Sequence, residues 1–330
     1  MLAWIRNEIR WRRGGPVNAT MRAVTQSVLG GTEVLRLEDV ARPEPFYGEV
    51  LVRVHAASLN PVDPAAREIG LYIGEPPFTL GWDVSGVVEQ VGIGVTRFRV
   101  GDEVFGMPRF PHRAGAHAEY LTAPARDLAL KPASLSHVEA AALPLTGLTA
   151  WQSLIPRARI RKGQTVLIHA AAGGIGHLAV QIAKSAGARV IGTASAANRE
   201  FVLGLGADEV VDYRNEDFTK AVEDVDVVLS TLGGDVAERS VSVIRDGGTL
   251  LQMHYSTRDR AFPEAVRRGI DTRFQLVEPD GSGLEALADL VERDLLRVHV
   301  ARVFALEEFA AAHALMEAGG FAGKLVFGLV

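Results

Sequence analysis

The sequence predicts an α/β protein that combines a β-rich domain with a doubly wound parallel sheet. Short strands and frequent turns fill residues 21–144, and buried strands alternate with helical segments over residues 145–286. A strand–helix–strand pattern closes the chain over residues 287–330. The length of 330 residues is typical of two domains. We therefore predict a first domain from residues 21–144 and 287–330 and a second from residues 145–286, with a cleft between them.

The composition excludes several classes of protein. The chain is 48% hydrophobic and 23% charged, as in water-soluble globular proteins. Its net charge of −5, from 35 Lys and Arg against 40 Asp and Glu, argues against nucleic-acid binding. It contains no cysteine, which rules out disulfides, cysteine nucleophiles and cysteine-bound metals. No apolar run approaches the roughly 20 residues that span a bilayer. We expect no membrane span, and we expect the protein to be cytoplasmic.

The first twenty residues differ from the rest of the chain. They are rich in arginine and tryptophan, at Trp4, Arg6, Arg10, Trp11, Arg12 and Arg13. They lack the apolar core and cleavage site of a secretory signal. One interpretation is a basic amphipathic helix that binds surfaces. The other, which we favour, is a disordered extension in front of a start at Met21. Residues 1–20 therefore do not enter the fold prediction.

The two predicted domains carry different local signals. In the first, Val50–Val54 and Val84–Val88 are short apolar strands, and Gly101-Asp102 supplies a tight turn. In the second, Thr165–His169 is a buried strand, and apolar residues at helical spacing follow from Ile175 to Ala186. Further strands at α/β spacing are predicted over residues 189–193, 209–211, 225–229 and 249–253.

The strongest motif is a turn of small residues over Ala170–Gly176, directly after a strand and before a helix. Ala171, Gly173 and Gly176 occupy the three positions of G-x-G-x-x-G, with alanine in the first. Small residues let the backbone approach a pyrophosphate and let the helix pack against the strand. Free N–H groups and the positive helix end then attract phosphate. The alternative is a close-packed turn without a ligand, and the strand and helix around the turn favour the dinucleotide site.

The end of the next strand predicts which dinucleotide binds. NAD sites place Asp or Glu about 20 residues after the glycines to hold the ribose hydroxyls. Here the segment from Gly192 to Arg199 contains no carboxylate, but it offers Ser195, Asn198 and Arg199. A hydroxyl, an amide and a guanidinium suit a 2′-phosphate. The sequence therefore favours NADP(H), with Tyr213 near the adenine or the 2′-phosphate. The alternative for Arg199 is an ordinary solvated helix residue.

At this point the sequence resembles a known family, the zinc-independent medium-chain dehydrogenase/reductases of the quinone oxidoreductase branch. The resemblance covers residues 21–330. It depends on six ordered motifs, which are Ser58–Asp63, Leu80–Gly86, Val100–Val104, Leu145–Ala150, His169–Gly176 and Gly323–Val326. It implies a GroES-like domain from both chain ends, a Rossmann domain between them, and a homodimer.

The resemblance also implies the site residues. Asn60 matches an asparagine beside the nicotinamide ribose and substrate, Thr149 a threonine near the nicotinamide, and Lys324 a lysine near the cofactor. Ser195, Asn198 and Tyr213 fall at the 2′-phosphate positions, where Asn198 replaces a lysine of some members and Arg199 can substitute for it. The remaining positions assigned to the cofactor are Ala172, Gly173, Gly174, Ile175, Leu232 and Gly233.

We expect no zinc. Zinc-dependent relatives carry Gly-His-Glu where this chain has Gly81-Trp82-Asp83, and they also use cysteine ligands, of which this chain has none. A catalytic zinc needs about three protein ligands. The scattered histidines are more typical of core or surface residues than of a metal site.

Chemistry without a Lewis acid suits acceptors that are already electron-poor. Quinones and α,β-unsaturated carbonyls accept a hydride into a conjugated system, so the protein's part is orientation. Asn60 is a candidate donor to the oxyanion or ribose. Tyr72 is a candidate proton donor or ring-stacking wall, or an ordinary turn tyrosine. With Thr149, these complete the candidate catalytic residues.

Three functions therefore remain open from the sequence. The first is NADPH-dependent reduction of quinones, and the second is reduction of an activated C=C bond, as in enal or enone reductases. The third is a crystallin-like protein that binds NADPH with little turnover. Small electron-poor molecules are the expected partners in the first two.

Overall fold

The fold is described from a computed structural model that covers residues 19–272 and 274–330. The expected N-terminal extension lies almost entirely outside these described residues. Within the described residues, the first strand begins at Thr20, next to the predicted start at Met21.

Fifteen strands are named here in chain order. They are β1 Thr20–Gln26, β2 Arg36–Ala41, β3 Glu49–Leu59, β4 Phe78–Thr79, β5 Asp83–Val91, β6 Glu103–Gly106, β7 Tyr120–Pro124, β8 Leu128–Leu130, β9 Thr165–Ile168, β10 Arg189–Ala194, β11 Glu209–Asp212, β12 Val225–Ser230, β13 Ile244–Gln252, β14 Val300–Ala305 and β15 Lys324–Gly328.

The α-helices are numbered in the same way. They are α1 Val62–Ile69, α2 His137–Ala141, α3 Pro144–Gln152, α4 Gly176–Ser185, α5 Arg199–Gly204, α6 Phe218–Ala221, α7 Val236–Ser240, α8 Pro263–Arg267, α9 Gly281–Glu292 and α10 Phe309–Ala318. None of the helices in the described part of the chain is long and apolar enough to cross a membrane.

The β-rich part contains strands from both ends of the chain. A seven-stranded sheet has the order β14-β15-β3-β5-β6-β8, with β7 also paired to β3, and a three-stranded sheet has the order β2-β1-β4. β15 pairs antiparallel with β3, so that Leu325 lies opposite Leu59. The C-terminal strands are therefore built into the same sheet as the N-terminal ones.

The second sheet is parallel, with the order β11-β10-β9-β12-β13. Its strands are short, buried apolar runs flanked by helices, as expected for a sheet covered on both faces. The chain runs outward from β9 to β11 and then crosses back to β12. Because the direction reverses at β9, the crevice at its carboxyl end is where ligands bind in this fold class.

One hydrophobic core joins the two parts. It packs side chains of the β-rich part, such as Trp82 and Phe105, in the same cluster as Leu148 of α3 and Ile168 of β9. At the cleft, the N–H of Gly323 donates to the carbonyl of Ala172 at 2.9 Å. This bond brings the start of β15 against the end of the turn that follows β9.

Candidate functional site

The turn between β9 and α4 has the geometry that its small residues predict. A Cβ atom added at Gly176 would lie 2.2 Å from the carbonyl oxygen of Ala170, so only glycine lets α4 pack this closely. Ala170 has φ +50°, a left-handed conformation that is uncommon for alanine. Ile175 is the N-cap residue of α4, and its side chain makes no capping hydrogen bond to the first turn of the helix. The helix N-terminus therefore keeps its positive end for an anion.

A buried polar chain holds this turn from below. The N–H of Ala170 donates to Thr193 Oγ1 at 3.2 Å, and the N–H of Ala171 donates to the Thr193 carbonyl at 2.9 Å. His169 contacts Thr193 Oγ1 at 3.2 Å and Ser240 Oγ at 2.9 Å through its two ring nitrogens. Burial lowers the pKa of His169 to about 4, so the ring is neutral at pH 7. No local pattern predicts a role for His169, because its partners lie 24 and 71 positions away in the chain.

The predicted 2′-phosphate residues lie at the ends of β10 and β11. The N–H of Tyr213 donates to the Ala194 carbonyl at 3.2 Å, which ties the backbone of Tyr213 to the end of β10, and the Tyr213 side chain is exposed. Asn198 is half-buried in the turn that follows. Arg199 is tied back to the protein, because its guanidinium donates to the Val210 carbonyl at 2.6 Å. That bond gives Arg199 a structural contact within the protein.

Asp212 is a neighbour of this region that sequence reasoning missed. It comes from β11, whereas an NAD-binding carboxylate is sought on β10. The carboxylate accepts hydrogen bonds from the amide of Asn215 at 2.6 Å and from the backbone N–H groups of Arg214 and Ala196. These bonds help to hold the pKa of Asp212 below its usual range. Because three protein donors already use its lone pairs, Asp212 offers little to ribose hydroxyls.

A buried cluster of Ser58, Asn60, Asp83 and Lys324 lies at the meeting of β3, β5 and β15, and we call it the floor cluster. Lys324 donates to Asn60 Oδ1 and, at 3.1 Å, to the Leu59 carbonyl. Asp83 Oδ2 accepts from Ser58 Oγ at 2.6 Å and from Asn60 Nδ2 at 2.8 Å, and it lies 3.6 Å from Lys324 Nζ. All four side chains are at most 2% exposed.

The charges of the floor cluster are balanced. Burial lowers the pKa of Lys324, and the carboxylate of Asp83 opposes that shift. A buried charge without a partner would cost several kcal/mol, so the two charges depend on each other. Their bonds also fix the Asn60 amide, with its oxygen toward Lys324 and its nitrogen toward Asp83. Asp83 lies inside a motif quoted in the sequence analysis, but nothing local marked it as the partner of Lys324.

Asp63 anchors the loop that carries Asn60. Its carboxylate accepts from the N–H of Asn60 at 2.7 Å and from the N–H of Gly81 at 3.1 Å. Complete burial, reinforced by the nearby charge of Asp83, raises the pKa of Asp63 to about 7. These two bonds tether the loop that carries Asn60 to the segment before β5.

The floor cluster, α3 and the turn are in direct contact. The N–H of Leu145 in α3 donates to Asp83 Oδ1 at 2.8 Å, and Thr149 Oγ1 donates to the Leu145 carbonyl at 2.6 Å. The stem of Lys324 packs against Gly174, where an added Cβ would lie 3.1 Å from Lys324 Cδ. We call the turn of Ala170–Gly176 the glycine turn. The structure therefore brings it together with Asn60, Thr149 and Lys324, as one shared binding site requires.

An aromatic wall joins the two parts of the cleft. Tyr72 makes edge-to-face contacts with Phe110 and Tyr255, at centroid distances of 5.9 and 5.8 Å, and Phe110 packs on Trp82 at 5.3 Å. Burial raises the pKa of Tyr72. Tyr255 comes from the loop after β13. Arg258 donates to the Tyr255 hydroxyl at 2.5 Å.

The last predicted cofactor positions, Leu232 and Gly233, follow β12. Leu232 is 37% exposed. A Cβ atom at Gly233 would lie 2.7 Å from His254 Nδ1 and 2.8 Å from Ser256 Oγ. The absence of a side chain at Gly233 therefore lets the loops after β12 and β13 meet at the carboxyl edge of the sheet.

The fold and the site together define an oxidoreductase of the medium-chain dehydrogenase/reductase class. Residues 47–133 match the family model described as an alcohol dehydrogenase GroES-like domain, and residues 205–327 match the one described as a zinc-binding dehydrogenase. Human quinone oxidoreductase is 31% identical, over 93% of this chain and 97% of that protein.

Two further comparisons, one of sequence and one of structure, agree with this class. The 2-methylene-furan-3-one reductase of Solanum lycopersicum is 32% identical, over 94% of this chain and 79% of that protein. The solved structure of the quinone oxidoreductase from Coxiella burnetii has a TM-score of 0.89 and 37% identity, and the match covers 94% of this chain and 100% of that one. This chain belongs to the quinone oxidoreductase family.

The zinc-binding description of one family model can be compared with the side chains present here. Among residues 19–272 and 274–330, no group of three His, Cys, Asp or Glu side chains is arranged to hold a metal ion. Trp82 is buried and donates its indole N–H to the His112 carbonyl at 2.7 Å. Asp83 is already bonded to Ser58, Asn60 and Leu145. The residues at this position do not fit a zinc site.

Proposed function

We propose that this protein is an NADPH-dependent, zinc-independent oxidoreductase that transfers a hydride to a quinone or a similar conjugated carbonyl. The observation that carries the proposal is the contact between the glycine turn and the floor cluster. A dinucleotide whose pyrophosphate lies on the turn has its nicotinamide half directed into the cleft, where Asn60, Thr149 and Lys324 meet. When bound, the reduced nicotinamide supplies the hydride.

The residues of the turn fit the cofactor. We assign Ala172, Gly173, Gly174 and Ile175 to the pyrophosphate, because small side chains leave the backbone donors accessible. We assign Ser195, Asn198 and Tyr213 to the 2′-phosphate. Arg199 has only a supporting role in this assignment, because its guanidinium also donates to the Val210 carbonyl. Leu232 and Gly233 complete the cofactor site at the end of β12.

The floor cluster supplies orientation in this proposal. Asn60 Nδ2 carries two hydrogens, and Asp83 accepts one of them. We assign the other to the nicotinamide ribose or to the oxygen on which negative charge develops in the acceptor. Lys324 fixes the amide oxygen, so the donor direction is set before the acceptor binds.

The aromatic wall supports a planar acceptor. Tyr72, Phe110 and Tyr255 present ring edges and faces of the kind that stack on quinones. We assign Tyr72 to this wall, or to donation of the proton that balances the transferred hydride. The relative named 2-methylene-furan-3-one reductase favours a second candidate, reduction of an enone C=C bond, with the same cofactor and wall.

The test is oxidation of NADPH or NADH by the purified full-length protein with quinones, enones and simple aldehydes. We expect turnover with quinones or enones, none with aldehydes, faster reaction with NADPH, and no loss after treatment with a metal chelator. Chelator-sensitive oxidation of simple alcohols would contradict the zinc-independent proposal. Tight NADPH binding with no turnover on any acceptor would favour the crystallin-like alternative.

We also propose that the protein acts as a cytoplasmic homodimer, as the family resemblance implies. Analytical ultracentrifugation measures the mass in solution. A mass of about one 35.4 kDa chain at micromolar concentration would contradict the dimer.

A further inference from the structure

Behind the floor cluster, two buried histidines have ring nitrogens without a hydrogen-bond partner among the described residues. They are His117, which precedes β7, and His313 of α10, and both are fully buried. The atoms are His117 Nδ1 and His313 Nε2. The two rings meet edge to face with centroids 6.4 Å apart. Unpaired buried nitrogens are costly, so this pair of atoms needs an explanation.

The hydrogen-bond partners determine the tautomer of each ring. His117 Nε2 lies 3.3 Å from the Ser58 carbonyl, which can only accept, so Nε2 carries the hydrogen and Nδ1 is an acceptor. His313 Nδ1 lies 3.2 Å from Arg67 Nη1, which can only donate, so Nδ1 is bare and Nε2 carries the hydrogen. Burial lowers the pKa of both rings, to about 4 and about 3, and keeps them neutral.

A third unpaired atom lies on β1, a strand that is bonded to His117 and, through Arg67, to His313. Gln26 is buried on β1, and its amide nitrogen donates to the carbonyls of Arg67 at 2.9 Å and Val28 at 3.1 Å. These two bonds fix the orientation of the amide, so Oε1 is an acceptor, and it has no partner among the described residues. On the same strand, the N–H of Val24 donates to the His117 carbonyl at 2.9 Å, which ties β1 to His117.

We propose that His117 Nδ1, His313 Nε2 and Gln26 Oε1 form a binding site for one buried water molecule. The three atoms supply two acceptors and one donor, and a water can donate twice and accept once. Buried waters typically make about three hydrogen bonds. A metal or ammonium ion would face the His313 N–H, and an anion would face two acceptors, so neither matches this set.

The site connects the C-terminal helix to the floor cluster. His117 packs on Gly81, where an added Cβ would lie 2.4 Å from the ring, and it donates to Ser58, whose hydroxyl binds Asp83. On the other side, Arg67 donates to His313 Nδ1 at 3.2 Å and to the Glu317 carboxylate at 2.7 Å, and so joins these two residues. The water closes the gap between these halves, and His313 is then a positioning residue for the segment that carries Asn60.

The first test uses the unmodified full-length protein. A crystal structure with ordered solvent should show one water within hydrogen-bond distance of all three atoms. Imidazole ¹⁵N NMR should show both rings as the neutral Nε2–H tautomer. A dry gap, a direct His117–His313 hydrogen bond, or the opposite tautomer of either ring would overturn the site. Neither measurement depends on the proposed function.

The second test concerns positioning. His313→Phe keeps a ring but removes both the proposed donor to the water and the acceptor of Arg67. Ala312→Gly, one residue away on α10, disturbs the helix without removing a polar atom. We expect His313→Phe to shift the His117 Nδ1 resonance and to lower acceptor kcat/KM by up to roughly 100-fold, the cost of a small misplacement of reacting groups. NADPH Kd should be unchanged, and Ala312→Gly should leave the resonance and kcat/KM unchanged. An unmoved resonance would contradict the shared water, and equal kinetic losses in both variants would show a general packing effect instead of positioning.

Discussion

The glycine turn and the floor cluster contact each other but are built in opposite ways. The turn works because side chains are missing, since a Cβ atom at Gly176 would lie 2.2 Å from the Ala170 carbonyl. The floor cluster works because charged side chains are present and fully buried. The turn is made by seven consecutive residues, whereas Asn60 and Lys324 are separated by 264 positions.

This difference predicts different responses to mutation. A change at Gly173–Ile175 should block the ligand while the fold survives, because this part of the turn is only partly buried. A change in the floor cluster should damage the fold first, because it leaves a charge buried without a partner. Variants that fail to separate ligand binding from stability in this way would break the comparison.

The largest expected effect is that of Lys324→Met. Removing the ammonium leaves Asp83 buried with its hydroxyl and amide donors but without its counter-charge, which we expect to cost about 3–5 kcal/mol of unfolding free energy. Urea unfolding measures it. The matched control is Lys184→Met, because Lys184 forms a partly exposed pair with Asp208, a type worth about 0–1 kcal/mol. Equal losses in the two variants would show that the buried pair has no special weight.

Gly173→Val should affect binding instead of folding. A valine side chain covers the approach to the pyrophosphate, and losing two charge-assisted hydrogen bonds, worth about 1.5–3 kcal/mol each, weakens NADPH binding by roughly 100-fold or more. Calorimetric titration measures the change. Gly204→Val is the control, because an added Cβ at Gly204 meets no atom within 4 Å. Normal NADPH affinity in folded Gly173→Val protein would place the phosphates elsewhere.

The two regions should also differ in the sign of their pH dependence. The pKa of Asp63 in the folded protein is about 7, above its ordinary value of 3.8, so the native state holds the proton more tightly. Its stabilising contribution is therefore complete below about pH 4 and is lost as the pH rises through 7, by up to about 1.4 kcal/mol per pH unit. Beside the turn, the pKa of His177 is lowered to about 4, so its contribution is lost as the pH falls.

Asp63→Asn tests this sign. The unfolding free energy of the wild type, relative to the variant, should decline between pH 4 and pH 7, the window set by the two pKa values of Asp63. Chemical denaturation at several pH values supplies the curve. A wild-type advantage that grows as the pH rises would mean that Asp63 is ionised throughout and that its two N–H bonds outweigh burial.

The smallest effect is expected for Thr149→Val. Its hydroxyl donates to Leu145 within α3 and is assigned beside the nicotinamide, so the change removes one neutral hydrogen bond of about 0.5–1.5 kcal/mol. We expect acceptor kcat/KM to fall by about 2- to 10-fold, and the unfolding free energy to fall by no more than about 1.5 kcal/mol. A loss of unfolding free energy as large as that of Lys324→Met would show that Thr149 belongs to the buried charge network.

Much of the fold could be predicted from residues that are neighbours in the sequence. The family, the β-rich and parallel sheets and the glycine turn follow from local patterns, because strand periodicity and small residues at a bend act over a few positions. Asn60 and Lys324 could be found as members of motifs. Their direct bond could not be found, because no local pattern records which distant side chains meet.

The sequence by itself determined the class of protein, the turn to which we assign the dinucleotide and the absence of cysteine ligands. Only the tertiary structure decided that Asp83 is the partner of Lys324, that Arg199 bonds to Val210, and that His117 faces His313. The physical reason is that local conformation depends on neighbouring residues, whereas the pairing of buried charges and hydrogen bonds depends on which strands and helices pack together.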